Sequence, residues 1–275
     1  MSQALDDARI GFIGGGAMGE ALVGGVLSAG VAPGNVCVAD PDPGRRKLVE
    51  DSHGVRSVAR GSDLVGDCDV IVVAVKPGLV PAVLAEAAAA GDAAARPLWV
   101  SIAAGVSLEG LAAGLPPGAR IVRAMPNTPA LVGAGAAAFV ANAAATPEDR
   151  SIARALFESV GLVWEAPDES LIDAVTGLSG SGPAFVFVLL DALADAGVRM
   201  GLPRDAATLL STQTVLGAAQ LASETGRHPG ALKDQVTSPG GTTIAGLERL
   251  EAGGFRAAIH EAVAAATRRS RELGE

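Results

Sequence analysis

The stretch Ile10-Gly-Phe-Ile-Gly-Gly-Gly-Ala-Met-Gly19 decides the fold, because it joins an apolar segment to a glycine-rich turn and then to a helix start. Gly14, Gly16 and Gly19 have the spacing of a dinucleotide fingerprint: a tight turn, close approach to a pyrophosphate, and close packing of helix on strand. Free N–H groups at the helix start would face the anion. With 36 glycines in the chain the spacing alone is weak evidence. The apolar residues before it and the helical stripe after it, which Gly30 closes, strengthen the prediction.

Further apolar segments predict the rest of a parallel sheet. The clearest is Val70-Ile-Val-Val-Ala-Val75, which is unbroken and almost entirely β-branched, as is typical of a strand buried on both faces. Other predicted strands cover residues 36–40, 98–102 and 120–124, with 134–141 as an edge strand and 163–165 as the last strand. After Pro167 only helices are predicted. We therefore expect an α/β fold, with a Rossmann-like NAD(P)-binding domain over residues 1–166 and an all-helical domain over residues 167–275.

Composition limits the possible partners and the location of the protein. The net charge of −9 and pI near 4.9 argue against nucleic acid or an anionic membrane. The chain is 49% hydrophobic with a mean hydropathy of +0.37, yet no apolar run reaches the roughly 20 residues of a membrane span and no signal peptide is recognisable. We expect a cytoplasmic protein whose excess apolar surface is covered by another subunit. Cys37 and Cys68 are predicted to fill the core, and no metal site is predicted.

The residues at and after the end of the second predicted strand are those expected to determine whether NAD(H) or NADP(H) binds. Asp40 lies 21 residues after Gly19 (40 − 19), where a carboxylate is expected to hold the adenosine ribose and to favour NAD. Arg45 and Arg46 follow and could instead hold a 2′-phosphate. These residues leave the choice between the two nucleotides open.

Three loops after predicted strands point to a site at one edge of the sheet. Lys76 and Pro77 follow one strand, residues 103–105 (Ala-Ala-Gly) follow the next, and residues 125–129 (Met-Pro-Asn-Thr-Pro) follow the third. Because the carboxyl ends of parallel strands share an edge, we expect these loops to meet the fingerprint there.

The chemistry of the site is limited by what the chain lacks. There is no Tyr, and the three His are at positions 53, 228 and 260, none directly after a predicted sheet strand. Where β-hydroxyacid dehydrogenases have a catalytic lysine and an asparagine, this chain has Val186 and Leu190. A protonated cyclic imine brings its own positive charge and accepts hydride without a strong protein acid. The turn at residues 238–243 (Ser-Pro-Gly-Gly-Thr-Thr) offers hydroxyls and helix-start N–H groups for such a substrate and its carboxylate.

Several longer motifs resemble the pyrroline-5-carboxylate reductase family, the last enzyme of proline biosynthesis. They are residues 173–184 (DAVTGLSGSGPA), 191–197 (DALADAG) and 232–244 (LKDQVTSPGGTTI), with 74–77, 103–105 and 125–129 in the first half. The resemblance covers nearly the whole chain, and the SPGGTT segment is its most specific part. It implies hydride transfer from NAD(P)H to the C=N bond of L-1-pyrroline-5-carboxylate, and a helical domain that forms homodimers, which often assemble into decamers.

The resemblance also implies roles for individual residues. The residues expected to contact NADP(H), with NAD(H) as an alternative, are Gly14, Gly16, Ala17, Met18, Asp40, Lys76, Pro77, Ala103, Gly105, Asn127 and Gln235. Those expected to hold the substrate are Ser238, Gly241, Thr242 and Thr243, with Thr243 orienting the imine nitrogen. Gln235 stands where some members have an asparagine that touches the cofactor ribose, and Asp40 is an acid where many have a residue better suited to the 2′-phosphate. Both departures leave the NADPH preference open.

Two alternatives stay open from the residues. One is a reductase of another small cyclic imine, such as a six-membered ring, which relative rates on five- and six-membered rings would distinguish. The other is a nucleotide-sensing protein that binds the cofactor without turnover, and the intact SPGGTT segment argues against it.

Overall fold

The computed structural model describes residues 3–5 and 7–274. The chain divides into two compact units. The sheet unit comprises the chain up to Ser181 together with the residues from Ala264 onward, and the helical unit is Gly182–Val263. The boundary expected near residue 166 lies earlier than this division. The reason is that the segment after the last strand packs back on the sheet, where the Asp173 carboxylate forms an ion pair at 3.0 Å with Arg123 of a sheet strand.

The sheet has eight strands in the order β3-β2-β1-β4-β5-β6-β7-β8. The strands are β1 (Ile10–Ile13), β2 (Val36–Ala39), β3 (Arg56–Val58), β4 (Val70–Val73), β5 (Leu98–Ser101), β6 (Arg120–Met125), β7 (Gly135–Ala141) and β8 (Gly161–Glu165). The strands from β3 to β6 pair in parallel, β7 is antiparallel to β6, and β8 is parallel to β7. This doubly wound sheet confirms the predicted Rossmann-like fold.

Two details of the sheet differ from the sequence prediction. The short strand β3 was not predicted, because its side chains are only partly buried and its three residues show no apolar pattern. The segment predicted as an edge strand forms β7, which is an inner strand, since β8 pairs with it and takes the edge.

The inner strands are buried on both faces, and their side chains alternate between two hydrophobic clusters. Ile10 and Phe12 of β1 lie in one cluster and Ile13 lies in the other. In β4, Val70 and Val72 point to the first cluster, while Ile71 and Val73 point to the second. Since successive side chains of a strand point to opposite faces, this alternation places helices on both faces of the sheet.

The helices of the sheet unit cover these faces. They are α1 (Ala17–Ser28), α2 (Pro43–His53), α3 (Val80–Ala88), α4 (Leu108–Ala113), α5 (Pro147–Glu158) and α6 (Ser170–Val175). The start of α5 is fixed by a capping box, in which Thr146 and Asp149 satisfy each other's backbone N–H groups. The predicted start at Pro147 is therefore confirmed.

The helical unit contains α7 (Gly182–Arg199), α8 (Arg204–Thr225), α9 (Pro229–Gln235), α10 (Thr242–Ala252) and the first part of α11 (Phe255–Gly274). The glycine-rich segment before α7 was predicted as a turn. It is instead a π-helical turn, Thr176–Gly180, that follows α6 directly. Its glycines are compatible with helix, and Gly180 leaves room for Met125, whose Cε would lie 2.6 Å from a Cβ at that position.

By length and composition alone, one helical segment, Ser170–Arg199, could cross a membrane. The sequence observation that no apolar run reaches the length of a membrane span is not contradicted by this finding. That observation was based on unbroken apolar runs, which Asp191 interrupts, whereas the helix continues through the π-helical turn.

Candidate active site

The carboxyl ends of the parallel strands lie at one edge of the sheet, as predicted from the loops that follow these strands in the sequence. Backbone hydrogen bonds continue the ladder into the loops: Gly14 N donates to Ala39 O at 2.8 Å and Ala74 N donates to Ile13 O at 2.8 Å. Ile102 N donates to the carbonyl of Val73, the last residue of β4, at 3.2 Å. The structure thus brings the fingerprint, the loop after β2 and the loops after β4 and β5 to the same edge.

Close contacts require glycine at two of the three fingerprint positions, Gly14 and Gly19, whereas Gly16 faces open space. Gly14 has φ +107°, and a Cβ there would lie 2.5 Å from the Ala74 carbonyl oxygen. A Cβ on Gly19 would lie 2.3 Å from Gly14 O, so only glycine lets the first turn of α1 pack this closely on the end of β1. A Cβ on Gly16 would meet nothing within 4 Å. Gly16 therefore faces open space at the start of α1, where no side chain caps the helix.

Asp40 and its neighbours are tied to the fingerprint loop. Asp40 Oδ2 accepts a hydrogen bond from Gly15 N at 2.8 Å, and its Oδ1 accepts one from Asp42 N at 2.9 Å. Arg45 Nε donates to Gly15 O at 2.8 Å. Arg46 Nη1 donates to the Asp40 carbonyl at 2.8 Å. The predicted ribose contact of Asp40 stays a prediction, but both of its carboxylate oxygens already accept backbone N–H groups.

The loops after β4 and β5 place two of the predicted cofactor residues at the surface and one in the core. Lys76 and Pro77 are exposed, and the Lys76 side chain has no hydrogen bond or ion pair among the residues described. Ala103 is 3% exposed and belongs to a hydrophobic cluster, so its side chain packs inward. Gly105 has φ +75°, and a Cβ there would lie 2.9 Å from Leu273 Cβ near the end of α11. Pro77 and Gly105 line a cavity of about 640 Å³.

Asn127 holds the loop after β6 in place. Its Nδ2 donates to the carbonyl and the hydroxyl oxygens of Ser179, each at 3.2 Å, and its Oδ1 accepts from Ala136 N at 2.8 Å. The side chain is 9% exposed. These bonds fix the loop to the π-helical turn and to β7, and the predicted cofactor contact of Asn127 stays a prediction.

In the helical unit, the predicted substrate residues form the turn into α10. Gly240 has φ +67°, a conformation that favours glycine. Gly241 is the N-cap of α10, and a Cβ there would lie 2.3 Å from Ser238 Oγ. The two glycines therefore let the Ser238 hydroxyl lie against the start of the helix.

The start of α10 has free hydrogen-bonding groups. No side chain caps this helix, and within the described residues the hydroxyls of Thr242 and Thr243 have no hydrogen-bond partner. Thr243 is partly buried and Thr242 is exposed. A cavity of about 500 Å³ lies beside this turn and is lined by Gly240, Gly241 and Ile244 among others. Uncapped N–H groups and the helix dipole favour an anion at such a position.

Gln235, the last residue of α9, lies in the same unit. Its Oε1 accepts a hydrogen bond from Arg227 Nη1 at 2.5 Å. This contact orients the amide within the unit, and its cofactor contact stays a prediction.

Other reactive side chains do not form a competing site. Cys37 and Cys68 are buried, and burial raises the pKa of both thiols, that of Cys68 to about 12. Both thiols are therefore protonated at neutral pH and are poor nucleophiles. Within residues 3–5 and 7–274, no cluster of three or more His, Cys, Asp or Glu side chains could hold a metal ion.

Sequence reasoning missed two features of the sheet edge that carries the fingerprint. Glu20, in the first turn of α1, forms an ion pair with Arg45 at 2.9 Å. The end of α11 packs against Gly105. Both pairs are far apart in sequence, so no local spacing could reveal them. The only signal in the sequence was the Arg45-Arg46 pair. It indicated positive charge at this edge but did not reveal that Glu20 pairs with Arg45.

The chain matches two family models. Residues 169–273 match the model for pyrroline-5-carboxylate reductase dimerisation, and residues 9–105 match the model for coenzyme F420-dependent NADP oxidoreductase. A pyrroline-5-carboxylate reductase of Synechocystis sp. is 49% identical over 97% of this chain and 98% of its own length.

Solved structures agree with the sequence comparison. A pyrroline-5-carboxylate reductase from Coxiella burnetii superposes with a TM-score of 0.92 at 36% identity, covering 98% of this chain and 100% of that one. The Plasmodium falciparum pyrroline carboxylate reductase with NADP bound has a TM-score of 0.88 at 31% identity, covering 98% of this chain and 100% of that one. Identity at this level over nearly the full length of both chains shows that this chain belongs to the pyrroline-5-carboxylate reductase family.

Proposed function

We propose that this protein reduces the C=N bond of L-1-pyrroline-5-carboxylate with NAD(P)H to give L-proline, the last step of proline biosynthesis. The observation that carries the proposal is the turn into α10. There the unpartnered hydroxyls of Thr242 and Thr243 and the Ser238 hydroxyl surround an uncapped helix start. This arrangement suits a small substrate that has both a carboxylate and a ring nitrogen.

The nucleotide fits the sheet edge on two observations. A Cβ on Gly16 would have open space around it, and α1 begins without a side-chain cap, so a diphosphate has room and free N–H donors. The diphosphate would be held by Gly14, Gly16, Ala17 and Met18. The ammonium group of the exposed Lys76 could approach the negative charge of the diphosphate. When bound, the reduced nicotinamide supplies the hydride.

Each group of the turn then has a role in the reaction. The helix-start N–H groups and Ser238 bind the carboxylate, and the Thr243 hydroxyl orients the ring nitrogen. Because the protonated imine is already electrophilic, the chain needs no strong acid, which agrees with the absence of Tyr. Hydride addition at carbon leaves a neutral amine nitrogen, so no alkoxide has to be protonated.

The Thr243 hydroxyl provides the test. We expect Thr243→Ala to lower kcat about tenfold to a hundredfold, the effect of losing a hydrogen bond of about 1.5–3 kcal/mol to a charged or developing group. The Kd for NADPH should be unchanged, and Thr243→Ser should retain most of the rate. Ser52→Ala removes an exposed hydroxyl from α2 and serves as the matched control. Full activity of Thr243→Ala would contradict the assigned role.

The same proposal includes a homodimer, with decamers built from dimers. The helical unit leaves large apolar side chains exposed in the single chain, including Phe187 (62%), Val188 (71%) and Leu209 (70%). Unpaired apolar helix faces of this extent are typical of subunit interfaces. The match of this region to a dimerisation model supports a second copy of the chain as the occupant.

A second subunit also accounts for the apolar segment Ser170–Arg199. Asp191 and Asp195 lie in its second half, and carboxylates are costly within a bilayer. A protein partner could cover the apolar face while these carboxylates stay in water. We therefore propose a cytoplasmic enzyme whose partners are its own copies and a small-molecule substrate, with neither nucleic acid nor membrane, in accord with its net charge of −9.

A further inference from the structure

Gly15, the middle residue of the run Gly14-Gly15-Gly16, is held at both its N–H and its carbonyl by residues that follow β2. Its N–H donates to Asp40 Oδ2 at 2.8 Å. Its carbonyl oxygen accepts two hydrogen bonds from the Arg45 guanidinium, one from Nε at 2.8 Å and one from Nη2. Gly15 is therefore the one glycine of this run, among the residues described, whose N–H and carbonyl are both bound by side chains.

Arg45 is itself held from the first turn of α1. Glu20 Oε2 accepts from Arg45 Nη2 at 2.9 Å, and both side chains are about two-thirds buried, with 29% and 32% exposed. The other carboxylate oxygen of Glu20 lies 3.8 Å from His53 Nε2. The guanidinium thus joins α1, α2 and the fingerprint loop, and its charge is matched by Glu20.

This arrangement changes the roles expected from the sequence. From the sequence, either Arg45 or Arg46 could hold a 2′-phosphate, but Arg45 is committed to Gly15 and Glu20. Arg46 is the neighbour whose contacts leave donors free: its Nη1 binds the carbonyls of Asp40 and Pro41, and no partner within the described residues binds its Nε or Nη2. The two adjacent arginines therefore have different functions at this edge.

We propose that Arg45, held by Glu20, is a positioning residue that sets the fingerprint loop for the nucleotide, whichever nucleotide binds. This inference rests on the proposed function for the identity of the ligand. A run of three glycines has many accessible conformations, and ordering it on binding would cost affinity. Fixing Gly15 beforehand leaves Gly16 and the start of α1 ready for the diphosphate that NADPH and NADH share.

The test measures nucleotide binding without any imine. Arg45→Met is titrated with NADPH and, separately, with NADH, and Kd is read from nicotinamide fluorescence. We expect Kd to rise about tenfold for both nucleotides by the same factor, with kcat at saturating nucleotide within about threefold of wild type. Lys47→Met removes an exposed positive charge from the same helix and is the matched control, for which both Kd values should stay unchanged.

Two further variants keep the test valid if Arg45→Met does not fold. In Arg45→Lys a single ammonium cannot reproduce the planar set of donors that binds Gly15 O and Glu20 together, so both Kd values should rise severalfold. Glu20→Gln keeps an acceptor for Arg45 and should raise both by about threefold. Amide hydrogen exchange of residues 10–20 should become faster in the Arg45 variants and not in Lys47→Met, which reports directly on the loop.

Two outcomes would contradict the positioning role of Arg45. A rise in Kd for NADPH alone would make Arg45 a 2′-phosphate ligand and overturn the proposal. Unchanged Kd values for both nucleotides in a folded Arg45 variant would overturn it too. Because the titrations contain no imine, a wild-type protein that binds nucleotide but fails to reduce pyrroline-5-carboxylate would contradict the proposed function and leave this result standing.

Discussion

The two units of this chain differ in how much of their apolar surface they bury by themselves. In the sheet unit, all four residues of β1, β2, β4 and β5 are buried, and the side chains form clusters on both faces. In the helical unit, α8 buries only Ala207, and α9 and α10 bury no residue. The sheet unit thus folds around its own core, whereas the helical unit leaves apolar surface that the proposed second copy of the chain would cover.

The largest effect should come from a charge placed on the open apolar surface. Val188→Arg costs the single chain little, because this side chain is 71% exposed there, but at a subunit interface it would bury an unpaired charge. We expect a monomer at micromolar concentration by light scattering and an activity loss of more than about a hundredfold. The control is Val132→Arg, which places the same charge at a residue of the sheet unit that is 80% exposed. A fully active Val188→Arg dimer would remove the contrast between the units.

A smaller effect should follow from breaking a buried charge cluster in the sheet unit. Arg123 is 5% exposed and forms ion pairs with Glu169 at 2.8 Å and Asp173 at 3.0 Å. Arg123→Met leaves both carboxylates without their cation, so we expect the free energy of unfolding in urea to fall by about 3 kcal/mol. In the exposed pair Arg9–Asp69, Arg9→Met should cause a much smaller change. Equal losses would mean that burial does not set the strength of these pairs.

The smallest effect concerns a peripheral carboxylate of the sheet unit. The Ser62 hydroxyl, and next Arg60, lower the pKa of Glu86 below its ordinary value of 4.5. A lowered folded-state pKa stabilises the fold above pH 4.5, and this contribution is lost as the pH falls through the folded-state value. Since Glu86 is about one-third exposed, we expect less than about 1 kcal/mol.

The measurement for Glu86 is the difference in unfolding free energy between wild type and Glu86→Gln. The difference should be present at pH 7 and should shrink as the pH falls below 4.5. Glu158→Gln, at an exposed position of α5, is measured in parallel as the control for a carboxylate removed from a helix surface. A difference that grows towards low pH would contradict the assigned cause.

Much of the sheet unit was predictable because its signals are local. A β-branched run such as the one at β4 predicts a buried strand, and the spacing of Gly14, Gly16 and Gly19 predicts the turn that follows β1. The structure adds the steric reason for Gly14 and Gly19. The short strand β3 escaped prediction because it gains its partner from β2 rather than from its own pattern.

The candidate site was predicted less completely, because its contacts join distant residues. The SPGGTT turn was recognisable from its sequence, and so was the need for hydroxyls near an imine. The commitment of Arg45 to Gly15, and of Asn127 to Ser179, appears only when the chain is folded.

The sequence by itself determined the strands other than β3, the fingerprint turn, the SPGGTT turn and the family resemblance, since each depends on neighbours a few residues apart. Only the tertiary structure decided that α6 and the end of α11 belong to the sheet unit, that β8 rather than β7 is the edge strand, and that Arg45 holds the fingerprint. These features depend on which surfaces pack together. The free energy of such tertiary contacts comes from apolar burial and from charged residues that are distant in sequence.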